Sequence, residues 1–131
     1  MNDAATADRW AHFLVSRPYV PRATLLGKHF ASGRVIRLCD CGCNSFGLNV
    51  PDSASLEPLV PASAQGGCVL SLKYYVDNQP DPSRTVEVDV FVDARGFLAG
   101  IDVAYCSNSA PMPDAPALIE PPFHIHGRLV A

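Results

Sequence analysis

The chain has 131 residues, a net charge of -3 at pH 7 and 48% hydrophobic residues. This length is typical of one domain, and the hydrophobic share is enough for a core, which excludes a disordered chain. The mild negative charge gives no basic field for nucleic acid, and no apolar run reaches the roughly 18 residues of a membrane span. The polar N-terminus lacks a signal-peptide pattern, so we expect one cytoplasmic domain that binds neither nucleic acid nor membrane.

The first 30 residues have a helical pattern. Trp10, Phe13 and Leu14 fall at i, i+3 and i+4, which predicts a helix over residues 3–16 with one apolar stripe. A second, shorter helix is predicted over residues 21–28, because a proline suits the first turn of a helix.

From residue 34 onward the composition favours strands. The β-branched and alternating segments predict strands at residues 34–39, 45–50, 68–76, 85–92 and 97–105, and a short edge strand within 123–130. The predicted class is α+β, with an N-terminal helix (or two) packed on a mostly antiparallel sheet of about five strands.

The alternation in residues 85–92 separates two faces. One face carries Val86, Val88, Val90 and Val92, and the other carries Thr85, Glu87, Asp89 and Phe91. Because buried carboxylates are costly, the valine face is predicted to be the buried one.

Three of the five cysteines, Cys39, Cys41 and Cys43, lie close together between the first two predicted strands. With Cys68, Cys106, His124 or His126 as a fourth ligand, they have the donor types that zinc prefers. The spacing is not the Cys-x2-Cys of structural zinc sites, and no second half-site exists. The favoured interpretation is a turn of small, readily buried residues without a cofactor, and a zinc site is the alternative.

No active-site motif is present. The chain has no Gly-x-Ser-x-Gly, no phosphate-binding glycine loop and no His-Glu-x-x-His. We therefore predict a protein that is not an enzyme.

Negative charge gathers in the second half of the chain, where the acidic residues outnumber Lys73, Arg84 and Arg95. This pattern predicts either a solvated sheet face or a docking surface for a basic protein. The docking surface would use Glu87, Asp89, Asp93 and Asp102, with aromatic anchors drawn from Tyr74 or Tyr75, Phe91 and Phe97.

Two segments are similar to parts of known bacterial proteins. Residues 39–46 resemble a Cys-x-Cys-Gly-Cys-x-Ser/Thr signature of small uncharacterised bacterial proteins, and residues 88–103 resemble their later hairpin. In size, acidic balance and lack of an active-site motif, the chain also resembles immunity proteins of bacterial toxin systems, including contact-dependent growth inhibition. That resemblance implies a cytoplasmic antitoxin that binds one cognate toxin domain, expected to be a nuclease, and covers its active site.

Overall fold

The computed structural model describes residues 2–40, 43–53, 55–77, 80–81, 83–106 and 117–129. Two helices, α1 (Ala4–Val15) and α2 (Ala23–Ser32), precede the strands β1 (Arg34–Leu38), β2 (Phe46–Asn49), β3 (Gly67–Tyr75), β4 (Thr85–Val92), β5 (Leu98–Tyr105) and β6 (His124–His126). Neither helix found within these ranges has the length and apolar character that a membrane span requires.

All six strands form one sheet in the order β1-β2-β5-β4-β3-β6, and every neighbouring pair is antiparallel. The predicted α+β class is confirmed, and the sheet has six strands because the short C-terminal β6 pairs with β3. The pairing of β2 with β5 joins strands that are distant in sequence, so the first hairpin lies beside the last one.

The helix α1 begins and packs as its sequence pattern predicts. Asp3 caps it, because the Asp3 carboxylate accepts a hydrogen bond from the Thr6 backbone N–H at 2.8 Å. Leu14 is fully buried, and the ring of Phe13 meets the buried Tyr74 edge-on at 5.9 Å. The apolar stripe of α1 therefore covers part of the sheet.

The helix α2 runs further than predicted. It begins at Ala23, because Arg22 has a left-handed backbone conformation with φ of 52°, and it continues to Ser32. Gly27 lies inside the helix, and Gly33 ends it with an extended backbone. Leu26 and His29 face the core from this helix and are fully buried.

The valine face of β4 is the buried face, as predicted. Val86, Val88 and Val90 have no exposed surface, and burial of each such side chain is worth about 1.5–3 kcal/mol relative to exposure. Their neighbours Glu87 and Asp89 point to the opposite side and keep part of their surface exposed. We call this opposite side, formed by the side chains that alternate with the core residues of β3, β4 and β5, the outer face.

Candidate protein-docking surface

The strand register brings three acidic residues together on the outer face. Asp89 of β4 lies directly opposite Asp102 of β5 on one side and Ser71 of β3 on the other. Two residues before Asp89, on the same face of β4, Glu87 lies opposite Lys73 of β3. Three of the four predicted acidic docking residues are thus neighbours in the middle of the sheet.

Aromatic residues lie at both ends of this acidic group. Phe91 follows it along β4, and Tyr75 of β3 precedes it, opposite Thr85. Tyr75 stacks on Phe123, with ring centroids 4.1 Å apart. The other two anchor candidates, Tyr74 and Phe97, belong to the buried core and are not surface residues.

Two of the carboxylates are poorly compensated. Lys73 lies 3.5 Å from Glu87, but neither Asp89 nor Asp102 forms an ion pair within the described residues. Residues opposite each other on antiparallel strands have Cβ atoms about 4.5–5.5 Å apart, and like charges there are destabilising. The Asp89 Oδ1 atom is also buried, with no hydrogen-bond partner in the part of the chain that the structure describes.

The surroundings of Asp89 change its titration. Burial raises the pKa of its carboxyl group to about 6, assisted by the neighbouring carboxyl groups of Glu87 and Asp102. The nearby Ser71 side chain acts in the opposite direction. Asp89 therefore gains and loses its proton at a much higher pH than an ordinary aspartate does.

Asp93, the fourth predicted acidic docking residue, has a different place. It lies in the turn after β4, where its Oδ1 accepts hydrogen bonds from the backbone N–H groups of Arg95 and Phe97 at 2.9 and 3.2 Å. Its Oδ2 pairs with the Arg95 guanidinium at 2.6 Å. Burial raises its pKa, but the hydrogen bonds from Arg95 and Phe97 outweigh burial and leave the pKa below its usual value. Asp93 thus stabilises the turn through these hydrogen bonds and does not lie among the carboxylates of the outer face.

The two described ends of the cysteine cluster lie beside the acidic group. Cys43 donates a hydrogen bond to Ser45 Oγ at 3.3 Å, and the same Oγ accepts one from the Val103 backbone N–H of β5 at 2.9 Å. The Asn2 side chain donates to the carbonyl groups of Cys39 and Ser45 at 2.9 and 2.8 Å. These contacts fasten the cluster to β5 and to the N-terminus.

The zinc alternative remains a prediction. Cys41 lies outside the described residues, and among the described residues no group of three or more His, Cys, Asp and Glu side chains could hold a metal ion. His124 and His126 of β6 lie opposite Lys73 and Ser71 of β3, at the edge of the outer face.

A groove joins the cysteine cluster to the acidic group. It has a volume of about 460 Å³, and its lining consists of Arg37, Cys39, Cys43, Ser45, Phe46, Glu87, Asp89, Asp102 and Ala104. Sequence reasoning did not find Arg37 or Ser45, because both reach the groove only through the pairing of β2 with β5. No local pattern in the sequence indicates that pairing.

No protein-family model matches this chain, and searches of curated proteins and of solved structures find no match either.

Proposed function

We propose that this protein is an immunity protein, which binds a cognate bacterial toxin domain through its outer face and blocks the toxin's active site. The observation that supports this proposal is the pair Asp89 and Asp102, two uncompensated carboxylates opposite each other on a sheet face. The arrangement costs stability in the free protein, and a basic partner would remove that cost.

The chemistry of the expected partner fits this surface. A nuclease must hold the phosphates of its substrate, which requires cationic side chains in its active site. An acidic surface that covers those side chains would exclude the nucleic acid by charge and by volume. Phe91, Tyr75 and Phe123 provide apolar contact around the charges, and aromatic residues carry much of the energy of protein interfaces. In this proposal the protein acts in the cytoplasm, without catalysis and without a cofactor.

Co-expression tests the proposal. The toxin candidate encoded beside this gene would be expressed in a sensitive bacterium together with the wild-type chain, Asp102→Lys or Asp8→Lys. We expect the wild type to protect the cells and to co-purify with the toxin at a Kd of about 1 nM. Asp102→Lys should weaken binding at least about a hundredfold, since placing like charges together costs several kcal/mol.

Asp8→Lys is the matched control, because Asp8 is an exposed residue of α1 and does not lie on the outer face. It should protect the cells as well as the wild type does. The proposal fails if no neighbouring gene product is bound and the cells gain no protection.

A further inference from the structure

The short strand β6 carries a pair of histidines at one edge of the sheet. His124 and His126 flank Ile125, and their rings lie side by side, with centroids 5.9 Å apart and planes 31° from parallel. We propose that this pair binds a divalent transition-metal ion such as Zn²⁺, and that the same ion joins two copies of the chain through β6. This inference goes beyond the proposed function and does not depend on it.

Two imidazoles in this arrangement can chelate one ion. Both side chains are exposed, so each ring can turn until one of its nitrogens reaches the distance of about 2.0–2.1 Å that a zinc–nitrogen bond requires. Within the described residues neither ring has a hydrogen bond or an ion pair that would hold it in another direction. Imidazole is a good ligand for Zn²⁺, Ni²⁺ and Cu²⁺, whereas Mg²⁺ and Ca²⁺ prefer oxygen ligands.

The side chains of β3 beside the pair leave space for a cation. Ser71 lies opposite His126, and Lys73 lies opposite His124. The Lys73 ammonium pairs with Glu87 at 3.5 Å, on β4, and β4 lies on the far side of β3 from β6. The ion pair therefore directs this positive charge away from the histidines and partly offsets it.

One chain supplies only half of a zinc site. Structural zinc sites almost always have four protein ligands in a tetrahedral arrangement. In the part of the chain that the structure describes, no group of three or more His, Cys, Asp and Glu side chains could hold a metal ion. Two histidines from each of two copies make up the four ligands, so we expect the second copy to complete the site.

The two histidines lie symmetrically about Ile125, which suits a two-fold pairing of β6 strands. In an antiparallel pair centred on Ile125, His124 of each copy lies opposite His126 of the other copy. Residues opposite each other on such strands have Cβ atoms about 4.5–5.5 Å apart, and alternate side chains share one face of the strand. All four imidazoles therefore gather on one face of the joined sheets. Two-fold interfaces are also the commonest kind in homo-oligomers.

The edge formed by β6 is open to a second copy. In the sheet that the described residues form, β6 is the last strand on its side, and the unpaired backbone groups of an edge strand are a template for pairing with another chain. The side chains of Phe123 and Ile125 are 47% and 45% exposed. Pairing of two β6 strands would cover part of this apolar surface.

The opposite edge, β1, is less suited to pairing. It also exposes apolar side chains, Ile36 and Leu38, but it has a bulge between Val35 and Arg37. Bulges and charged side chains are common protections of edge strands, and β1 has both, whereas β6 has no bulge in its pairing with β3 and no Lys, Arg, Asp or Glu.

The length of β6 makes the metal ion necessary. A strand of three residues is shorter than the usual strand of about 5–6 residues, and pairing over so few residues is marginal in water. Strand pairing alone should therefore not hold two copies together. An ion bound by both copies adds the missing affinity, so the association should depend on the metal.

The experiment uses the full chain with its thiols kept reduced, and ZnCl₂ as the probe. Sedimentation velocity measures self-association, and calorimetry measures the number of zinc ions bound. We expect a monomer in EDTA and a dimer with one zinc ion for every two chains in ZnCl₂. Zinc should lower the Kd of self-association at least about tenfold, and MgCl₂ should leave it unchanged.

Three variants test the ligands and the strand pairing. His124→Gln and His126→Gln should each abolish the zinc-dependent dimer, because each removes two of its four ligands. Ile125→Lys should also prevent the dimer, since lysine on an edge strand opposes pairing. His12→Gln is the matched control, because His12 is an exposed residue of α1, and it should dimerise as the wild type does. Circular dichroism shows whether each variant is folded.

Zinc bound by the cysteine cluster would give a different pattern, and Cys39→Ser separates the two sites. Cys39→Ser should still dimerise with zinc, since the ligands are histidines. The inference is wrong if the wild type stays monomeric in zinc, or if both histidine variants dimerise as the wild type does. Zinc-dependent dimers that are lost in Cys39→Ser or kept in Ile125→Lys would equally overturn it, because the copies would then meet through other residues.

Discussion

His29 shows how one buried polar residue joins three parts of the fold. Its Nε2 lies 2.7 Å from the Glu57 carbonyl oxygen, and its Nδ1 accepts a hydrogen bond from the Leu98 backbone N–H at 3.2 Å. The ring is fully buried and meets Phe97 edge-on. Because one nitrogen must donate and the other accept, the imidazole is neutral, and burial lowers its pKa.

The neutral state of His29 predicts acid sensitivity. The pKa of His29 is lower in the folded than in the unfolded protein. Its contribution to the free energy of unfolding is therefore complete above pH 6.5 and is lost as pH falls below that value. We expect the free energy of unfolding to fall between pH 6.5 and 5, measured by urea denaturation. His29→Gln should lower it by about 1–3 kcal/mol at pH 7 and flatten its pH dependence.

His12→Gln is the control for this experiment, because His12 is an exposed residue of α1. Asp89 has the opposite effect on stability over the same pH range. Because its pKa is raised to about 6 in the folded protein, protonation of Asp89 stabilises the folded state as pH falls. The test therefore compares how steeply the free energy of unfolding changes with pH in the wild type and in His29→Gln. An unchanged slope in His29→Gln would contradict the prediction.

At the scale of elements, the turn between β4 and β5 is held by a close backbone approach. Gly96 has a φ of 84°, and a Cβ atom there would lie 2.0 Å from the Val60 carbonyl oxygen. The Leu59 backbone N–H donates to the Gly96 carbonyl at 2.9 Å, so segment 56–60 packs directly against the turn. No residue other than glycine fits this position without movement of the backbone.

Two glycine substitutions compare this turn with the interior of the helix α2. Gly96→Ala should lower the free energy of unfolding by at least about 2 kcal/mol, from backbone strain and the clash with Val60. Gly27→Ala, within α2, should instead raise it by about 0.5–1 kcal/mol, since a Cβ there makes only ordinary contact with Val15 at 3.6 Å. Thermal or urea denaturation measures both, and equal effects of the two substitutions would show that the turn is not constrained as described.

The elements also show what the sequence could and could not predict. The stripe of α1 and the two faces of β4 are local patterns of period 3.6 and period 2, and both were predicted. The hydrogen bond from the Val103 N–H to Ser45 Oγ spans 58 positions of the chain and has no local signal. Glu87, Asp89 and Asp102 were therefore predicted as a face, whereas the groove that joins them to Cys39 and Cys43 was not.

At the scale of the whole molecule, the two faces of the sheet have opposite effects on stability. The core face gains stability from the burial of valine, leucine and aromatic side chains, while the outer face places Asp89 against Asp102. Mutations that remove such repulsion are a common source of added stability, and their usual cost is loss of function. Under the proposed function, this pair would be kept for a basic partner at the expense of the stability of the free protein.

The like charges of Asp89 and Asp102 also affect the stability of the free protein. Asp102→Asn should raise the free energy of unfolding at pH 7 and low salt by about 0.2–1 kcal/mol, because it removes a like charge opposite Asp89. The gain should shrink in 1 M salt, where charges are screened, and at pH 4, where Asp89, with its pKa of about 6, is protonated. Asp8→Asn, which removes an equal charge from α1, should give no such gain. If urea denaturation shows that Asp102→Asn is less stable than the wild type at pH 7, Asp102 stabilises the sheet, and the outer face is not kept for a partner at a cost in stability.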